Sequence, residues 1–338
     1  MDEAVCTEGG IILGRDPSGS VVLGGNGNSI SIGPCRTGKT LRLISNLLCP
    51  EIAVEADTNP SVLRRLFTRP AKKTVQAGFT APVVVFDSHG VMLAVSLLAR
   101  LRQGRKVVVI DPFGCMEETA RTPGFEHLAE VPVVSLDSAG APAFDLSELF
   151  AGRCDIFVIY NHADCHAAPA ALGALAEKII VDADGGGMPV VAGGIDMIVD
   201  ELFCLAWRRM QSVIDKLAAS RSGNLRVHVS AQSEEQFRAV CGGNMADMIY
   251  ANAATVNTSL FFKRVDDPMR TIINAQHEAL NGECVTTELR PLLDLKGPEF
   301  RGLALPHPFF DRNAPPSPQL LAELRAKLAA AGTDGIAA

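Results

Sequence analysis

The stretch Gly33-Pro-Cys-Arg-Thr-Gly-Lys-Thr40 satisfies the pattern G-x-x-x-x-G-K-[ST], and the rest of the chain is read outward from it. Ser29-Ile-Ser-Ile32 alternates into it like a strand, and Leu41, Leu43, Ile44, Leu47 and Leu48 recur after it at helical spacing. In a strand–turn–helix setting each residue type has a task. The glycines let successive backbone N–H groups curl around phosphate oxygens, the lysine brings a cation to the β and γ oxygens, and the terminal hydroxyl can sit on Mg²⁺. Gly33, Pro34, Cys35, Arg36, Thr37, Gly38, Lys39 and Thr40 are therefore candidate nucleotide-binding residues, with ATP as the expected ligand and Thr40 also a candidate Mg²⁺ ligand. The competing reading is a Gly-rich turn without a ligand. With Gly at about 7% of residues, roughly one chain in a hundred would carry the pattern by accident.

Downstream, Pro82-Val-Val-Val-Phe86 and Lys106-Val-Val-Val-Ile110 are continuous apolar runs that end in Asp87 and Asp111, with a helical pattern from Val91 to Leu101 between them. Two more runs, Ile195-Asp-Met-Ile-Val199 and Leu225-Arg-Val-His-Val229, precede Asp200-Glu201 and Ser230-Ala-Gln232, and Leu202 to Leu217 can form the helix that joins them. Runs that are continuous rather than alternating indicate strands covered on both faces, so an α/β fold with a mainly parallel sheet is expected.

Phosphoryl transfer at such a turn needs an acid at a neighbouring strand tip for the Mg²⁺ shell, and often a second carboxylate to polarise water. Asp200 fits the metal role and Glu201 that of general base. A surface strand end would also explain the pair. Gln232, at the next strand end, can touch the γ-phosphate or the attacking water, or it can be a solvated strand end. With Lys39, Glu201 and Gln232 make up the candidate catalytic set. Asp87 and Asp111 share the carboxyl edge, where ligands bind in open α/β sheets, although each can also cap the following helix. For Asp111, followed by Pro112, capping is the expected role.

With 338 residues and 47% hydrophobic content the chain can bury a large core, which excludes a disordered protein. A net charge of −7 means that any DNA contact must use a local basic patch. Aromatic residues are only 5% of the chain with a single Trp, which argues against a broad base-stacking platform. The nine cysteines are an odd number without a C-x-x-C pair and suit reduced thiols in the cytoplasm. No secretory signal and no uncharged run of about 18 apolar residues is seen, so the chain is expected to have no membrane span of its own.

Gly9 to Asp16 and Ser20 to Leu23 read as an N-terminal β-hairpin, Leu66 to Ala81 as a loop or short insertion, Val131 to Leu136 and Ile156 to Tyr160 as strands, Ala168 to Val181 as a helix, and Asp182 to Gly187 as a loop. Leu320 to Ala331 reads as an amphipathic helix beyond a Pro-rich linker, so residues 1–312 form the nucleotide-binding unit and 313–338 a linker and helix. His162-Ala-Asp-Cys-His166 concentrates metal-capable side chains, but its spacing matches neither a finger half nor H-E-x-x-H, and a polar loop is the expected role. Arg221, Arg264 and Arg270 are candidates for an arginine supplied to a neighbouring subunit, and Ser220 to Arg226 for a pore that meets phosphates.

The ordered set of motifs resembles the TraG/TraD-like coupling proteins of type IV secretion and conjugation. It comprises Ile12-Leu-Gly-Arg-Asp16, Ile32 to Thr40, Ser45-Asn-Leu-Leu48, Val83-Val-Val-Phe-Asp87 with Gly90, and Val107-Val-Val-Ile-Asp-Pro-Phe-Gly114. Ile198-Val-Asp-Glu-Leu202, Val229-Ser-Ala-Gln-Ser233 and Leu305-Pro-His-Pro-Phe-Phe-Asp311 complete it, over about residues 9 to 312. The resemblance implies a RecA-like P-loop NTPase that assembles as a homo-oligomer, a hexamer in the family, and moves single-stranded DNA and bound relaxase toward secretion-channel proteins. It implies that Gly33, Gly38, Lys39 and Thr40 cradle phosphates, that Asp200 and Glu201 serve Mg²⁺ and water, and that Gln232 is the family's fourth-strand glutamine.

The chain departs from the pattern in three ways: no membrane helices are seen, residues 114 to 190 are too short for the family's helical domain, and the family's Asp-Pro-Lys-Gly block reads Asp87-Ser-His-Gly90. The expectation is a soluble motor core, cytoplasmic with recruitment to the inner membrane left open. The alternative is a nucleotide-gated adaptor that binds ATP and assembles with a membrane-anchored secretion partner.

Overall fold

The computed structural model describes residues 11–15, 21–23, 27–33, 39–48, 51–55, 72–88, 90–121, 126–136, 145–160, 169–184, 190–201, 211–218, 224–253, 255–258 and 318–330. The continuous apolar runs do form strands buried on both faces. β3 (Ser29–Ile32), β6 (Val83–Ser88), β7 (Lys106–Ile110), β8 (Val133–Val134), β9 (Cys154–Tyr160), β10 (Ile195–Val199), β11 (Leu225–Ala231) and β12 (Thr255–Thr258) join in one eight-stranded sheet. Its order is β12-β3-β11-β10-β6-β9-β7-β8, and every neighbouring pair is parallel. Because all strands point the same way, every strand end that carries a candidate site residue lies on one edge.

The helices divide between the two faces. Side chains of α1 (Lys39–Leu47), α2 (Val91–Arg102), α3 (Cys115–Ala120) and α9 (Pro318–Ala330) pack with Val83, Val85, Val107, Val109, Phe157 and Ile198 on one face. Those of α4 (Ser147–Phe150), α5 (Pro169–Asp184), α6 (Gln211–Ala218), α7 (Glu234–Cys241) and α8 (Gly243–Asn252) pack with Val84, Phe86, Ile156, Val158, Met197 and Val227 on the other. Alternate residues of each strand thus serve opposite cores, as a two-residue side-chain period requires. The architecture is the expected α/β RecA-like P-loop fold.

The N-terminal hairpin is present: β1 (Ile12–Arg15) pairs antiparallel with β2 (Val21–Leu23). Asn46 on α1 ties it to the core, its Oδ1 accepting from Ile12 N at 2.7 Å and its Nδ2 donating to Ile12 O at 3.0 Å. An amide side chain here takes the place of a neighbouring strand. Close by, Gly78 has φ +90°, and a Cβ there would lie 2.4 Å from Asn46 O, so the position requires glycine.

Several expectations are corrected. The loop read over 66 to 81 contains β5 (Lys72–Gln76), which pairs antiparallel with β4 (Glu51–Glu55), a strand that the sequence reading did not find. Strands of five residues leave few positions from which a two-residue period can be read. The strand read over 131 to 136 shrinks to Val133–Val134 after a 3₁₀ turn, Glu126–Glu130. The helix read as ending at Val181 continues to Asp184, so Asp182 to Asp184 are helical rather than loop. The joining helix is described only as Gln211–Ala218, and residues 202–210 lie outside the described residues.

The C-terminal helix α9 lies back on the core. Leu320 and Leu324 are buried, Arg102 makes a two-pronged pair with Glu323 with both distances at 2.7 Å, and Arg325 does the same with Glu130 at 2.5 and 2.6 Å. Among the described residues no helix is long and apolar enough to cross a membrane.

Candidate functional site at the carboxyl edge

Gly33 follows β3, and its N–H donates to Ala231 O of β11 at 3.0 Å, which sets the start of the P-loop against the neighbouring strand tip. Residues 34–38, which include Pro34, Cys35, Arg36, Thr37 and Gly38, lie outside the described residues. On the far side of the turn the first residues of α1 are placed. Lys39 is buried and its Nζ donates to Gly33 O at 2.5 Å, closing the loop across its mouth. Thr40 follows, and its Oγ1 donates to Asp200 Oδ2 at 2.9 Å.

Strand order decides what faces this helix. β11 separates the P-loop strand β3 from β10, so the tips of β10 and β11 stand side by side next to α1. Register places Val199 opposite Val229, and the next residues on each chain, Asp200 and Ser230, are in contact: Ser230 Oγ donates to Asp200 Oδ1 at 2.5 Å. One residue further, Glu201 Oε1 accepts from Gln232 Nε2 at 3.3 Å. Three separated segments of chain thus bring Lys39, Thr40, Asp200, Glu201 and Gln232 to one edge.

Asp200 is buried, and burial raises its pKa. The hydroxyls of Ser230 and Thr40 and the charge of Lys39 oppose that rise, while the charge of Glu201 adds to it. On the neighbouring strand Asp87 is also fully buried. Burial is again the main cause, with the charge of Asp200 contributing, and the carboxyl is pushed up to about 8. Its Oδ2 accepts from Leu93 N at 2.8 Å and so caps α2, whereas Oδ1 has no hydrogen-bond partner. Gly90, at φ +69°, lets the chain turn into α2 after the cap. Asp111 is a helix cap as expected, its two oxygens accepting from Cys115 N at 2.9 Å and Met116 N at 2.8 Å.

The donor set suits Mg²⁺. Thr40 and Asp200 present hard oxygens within hydrogen-bond distance of each other, and Asp87 adds a buried carboxyl oxygen without a partner. Among the described residues no group of three or more His, Cys, Asp or Glu could cage a metal alone. The His162 to His166 cluster lies outside the described residues, as do Arg221, Arg264 and Arg270. A cleft of about 80 Å³ beside Thr80, Pro82, Arg105, Val191 and Arg226 includes none of the site residues.

Two residues that the sequence reading assigned no role belong to this edge. Ser230 touches both acids of the Asp200-Glu201 pair, since its Oγ also accepts from Glu201 N at 2.9 Å. Tyr160, at the end of β9, donates its hydroxyl to Asp200 O at 2.6 Å. Tyr160 is one of only two tyrosines and ends an apolar strand, a signal that a polar group is required there.

No protein-family model matches the chain, and no curated protein is significantly similar to it in sequence. Among solved structures it is similar to the bacterial conjugative coupling protein TrwBdeltaN70 at 14% identity and a TM-score of 0.39, over 67% of each chain. It is similar to the plasmid coupling protein TrwB in complex with ADP and Mg²⁺ at 14% identity and a TM-score of 0.40, over 67% of this chain and 68% of that one. VirB4 of Thermoanaerobacter pseudethanolicus aligns at 13% identity with a TM-score of 0.37, over 89% of this chain and 99% of that one. In each case the likeness is one of chain path.

Proposed function

We propose that the chain is the motor core of a secretion or conjugation system, an ATPase that couples hydrolysis to transfer of single-stranded DNA or a protein substrate. The observation that carries this reading is the convergence of Thr40, Asp200, Glu201 and Gln232 at the mouth of the P-loop. Lys39 neutralises the β and γ phosphates and closes the turn through Gly33. Thr40 and Asp200 would hold Mg²⁺, which would supply positive charge against the charge that develops on the phosphate oxygens. Glu201 orients the attacking water and accepts its proton. Gln232 joins Glu201 to β11 and passes the state of the γ-phosphate into the sheet. Ring assembly, with an arginine supplied by a neighbouring subunit, and contact with relaxase and channel proteins complete the proposal.

The test is ATP turnover by the full chain with and without single-stranded DNA. Glu201→Gln is expected to lower kcat by at least about 100-fold while ATP still binds, and Lys39→Ala to abolish turnover. Turnover unchanged in both variants would sink the assignment. Tight ATP binding without turnover in the wild type would replace the motor by a nucleotide-gated adaptor.

A further inference from the structure

Glu201 has φ +55°, the only non-glycine residue at positive φ among the described residues. A left-handed backbone is sterically unfavourable for a residue with a Cβ, and glutamate lacks the short polar side chain that lets Asn or Asp offset it locally. Such an outlier persists only where its surroundings impose it. Here the peptide unit between Asp200 and Glu201 is held at both its polar atoms. Its carbonyl oxygen accepts from Tyr160 OH at 2.6 Å, and its N–H donates to Ser230 Oγ at 2.9 Å. Fixing both ends of one planar peptide fixes the plane from which the chain turns at Glu201. The preceding N–H, that of Asp200, is tied to Phe86 O at 3.2 Å. The same Ser230 hydroxyl donates its proton to Asp200 Oδ1, so a single oxygen sets both the Asp200 side chain and the turn that follows.

We propose that Ser230 and Tyr160 are positioning residues that clamp the Asp200–Glu201 peptide in its left-handed form, so that Asp200 faces Thr40 while Glu201 faces Gln232. Without the clamp the turn relaxes to negative φ and the two carboxylates no longer diverge toward metal and water. The clamp draws on both sides of β10, Ser230 coming from adjacent β11 and Tyr160 from β9 across the intervening β6. This inference rests on the hydrolytic reading of Asp200 and Glu201.

The experiment uses Ser230→Ala, Ser230→Thr and Tyr160→Phe in the full chain, with Glu201→Gln as reference. It reads kcat and KM for ATP, equilibrium binding of a non-hydrolysable ATP analogue, and Mn²⁺ affinity by electron paramagnetic resonance in the presence of that analogue. Ser230→Ala is expected to lower both kcat and Mn²⁺ affinity by about 10- to 100-fold, with KM and analogue binding within about twofold. Ser230→Thr restores most of both losses. Tyr160→Phe, which touches only the main chain, lowers kcat by about tenfold and leaves Mn²⁺ affinity within about twofold. Wild-type kcat and Mn²⁺ affinity in Ser230→Ala and Tyr160→Phe, with Glu201→Gln inactive, would overturn the clamp and leave the hydrolytic reading standing. A kcat loss matched by an equal loss of analogue binding would also overturn it, by showing a structural role only. Full activity in Glu201→Gln would instead sink the hydrolytic reading, and the Mn²⁺ affinities would still decide whether Ser230 sets Asp200.

Discussion

At the amino edge of the sheet Arg100 places Nε and Nη2 on the two oxygens of Asp155 at 2.7 and 3.0 Å, and donates further to Phe79 O and Ala81 O. Beside it Arg226 makes the same two-pronged pair with Asp196 at 2.6 and 2.9 Å, and His228 bridges Asp196 to Ser29. At the carboxyl edge Asp87 and Asp200, both buried, form no salt bridge among the described residues; burial pushes each toward the protonated state, helped at Asp87 by the charge of Asp200 and at Asp200 by that of Glu201. The same sheet thus pairs its buried acids in salt bridges at one end and, among the described residues, leaves them without one at the other. Paired acids hold the elements they join together; buried acids without a salt bridge are the kind of group that a cation can satisfy. Burial works against ionisation of Asp196, yet His228 and Arg226 hold it below the ordinary carboxylate value, while Asp87 is pushed up to about 8.

The contrast can be broken most forcefully at the amino edge. Asp155→Ala leaves Arg100 buried without its carboxylate and is expected to cost about 3–5 kcal/mol in urea unfolding. Turnover per folded molecule should be unchanged, and loss of turnover ahead of unfolding would show that the two edges are not separate. Replacing the pair together, with Arg100→Met and Asp155→Leu, should cost less than the single change, since no uncompensated charge remains.

At the carboxyl edge the comparison is sharpened by pH. In metal-free protein, Asp87 binds a proton more tightly folded than unfolded, so its contribution to stability is complete below the ordinary value of 3.8 and is lost as pH rises through about 8. Stability should therefore fall across that window by at most about 1.4 kcal/mol per pH unit on account of this group. Asp87→Asn keeps an oxygen for Leu93 N and should flatten the curve. An unchanged slope in that variant would place the titrating group elsewhere. The smallest effect is expected on the surface: Glu323→Ala removes a pair whose side chains are 36% exposed and should cost no more than about 1 kcal/mol. A larger loss would mean that α9 is held by charge rather than by Leu320 and Leu324.

Much of the carboxyl edge was legible because its residues are local punctuation. Asp87, Asp111, Asp200 and Gln232 each end an apolar run, and a parallel sheet gathers such ends on one edge. Glu201 and Thr40 were legible as neighbours of Asp200 and Lys39 in short motifs. Ser230 stood in plain view within Val229-Ser-Ala-Gln232, yet nothing local distinguishes its hydroxyl from that of any strand serine. Tyr160 reaches Asp200 across 40 positions of sequence, a contact that no motif encodes. The amino edge was less legible still. Arg100 lies within a helix and Asp155 near the start of a strand, 55 positions apart, and each alone reads as a surface charge.

By itself the sequence determined the strands covered on both faces, their parallel direction, the helix that begins at Lys39 and the acids at the strand ends. These follow from short-range sterics and from burial, which leave their period in any window of a few residues. Only the tertiary structure decided that β11 lies between β3 and β10, that Ser230 and Tyr160 grip one peptide from two strands, and that α9 folds back onto α2. Strand order and docking depend on which apolar faces fit against one another over the whole core, and that fit leaves no period to read.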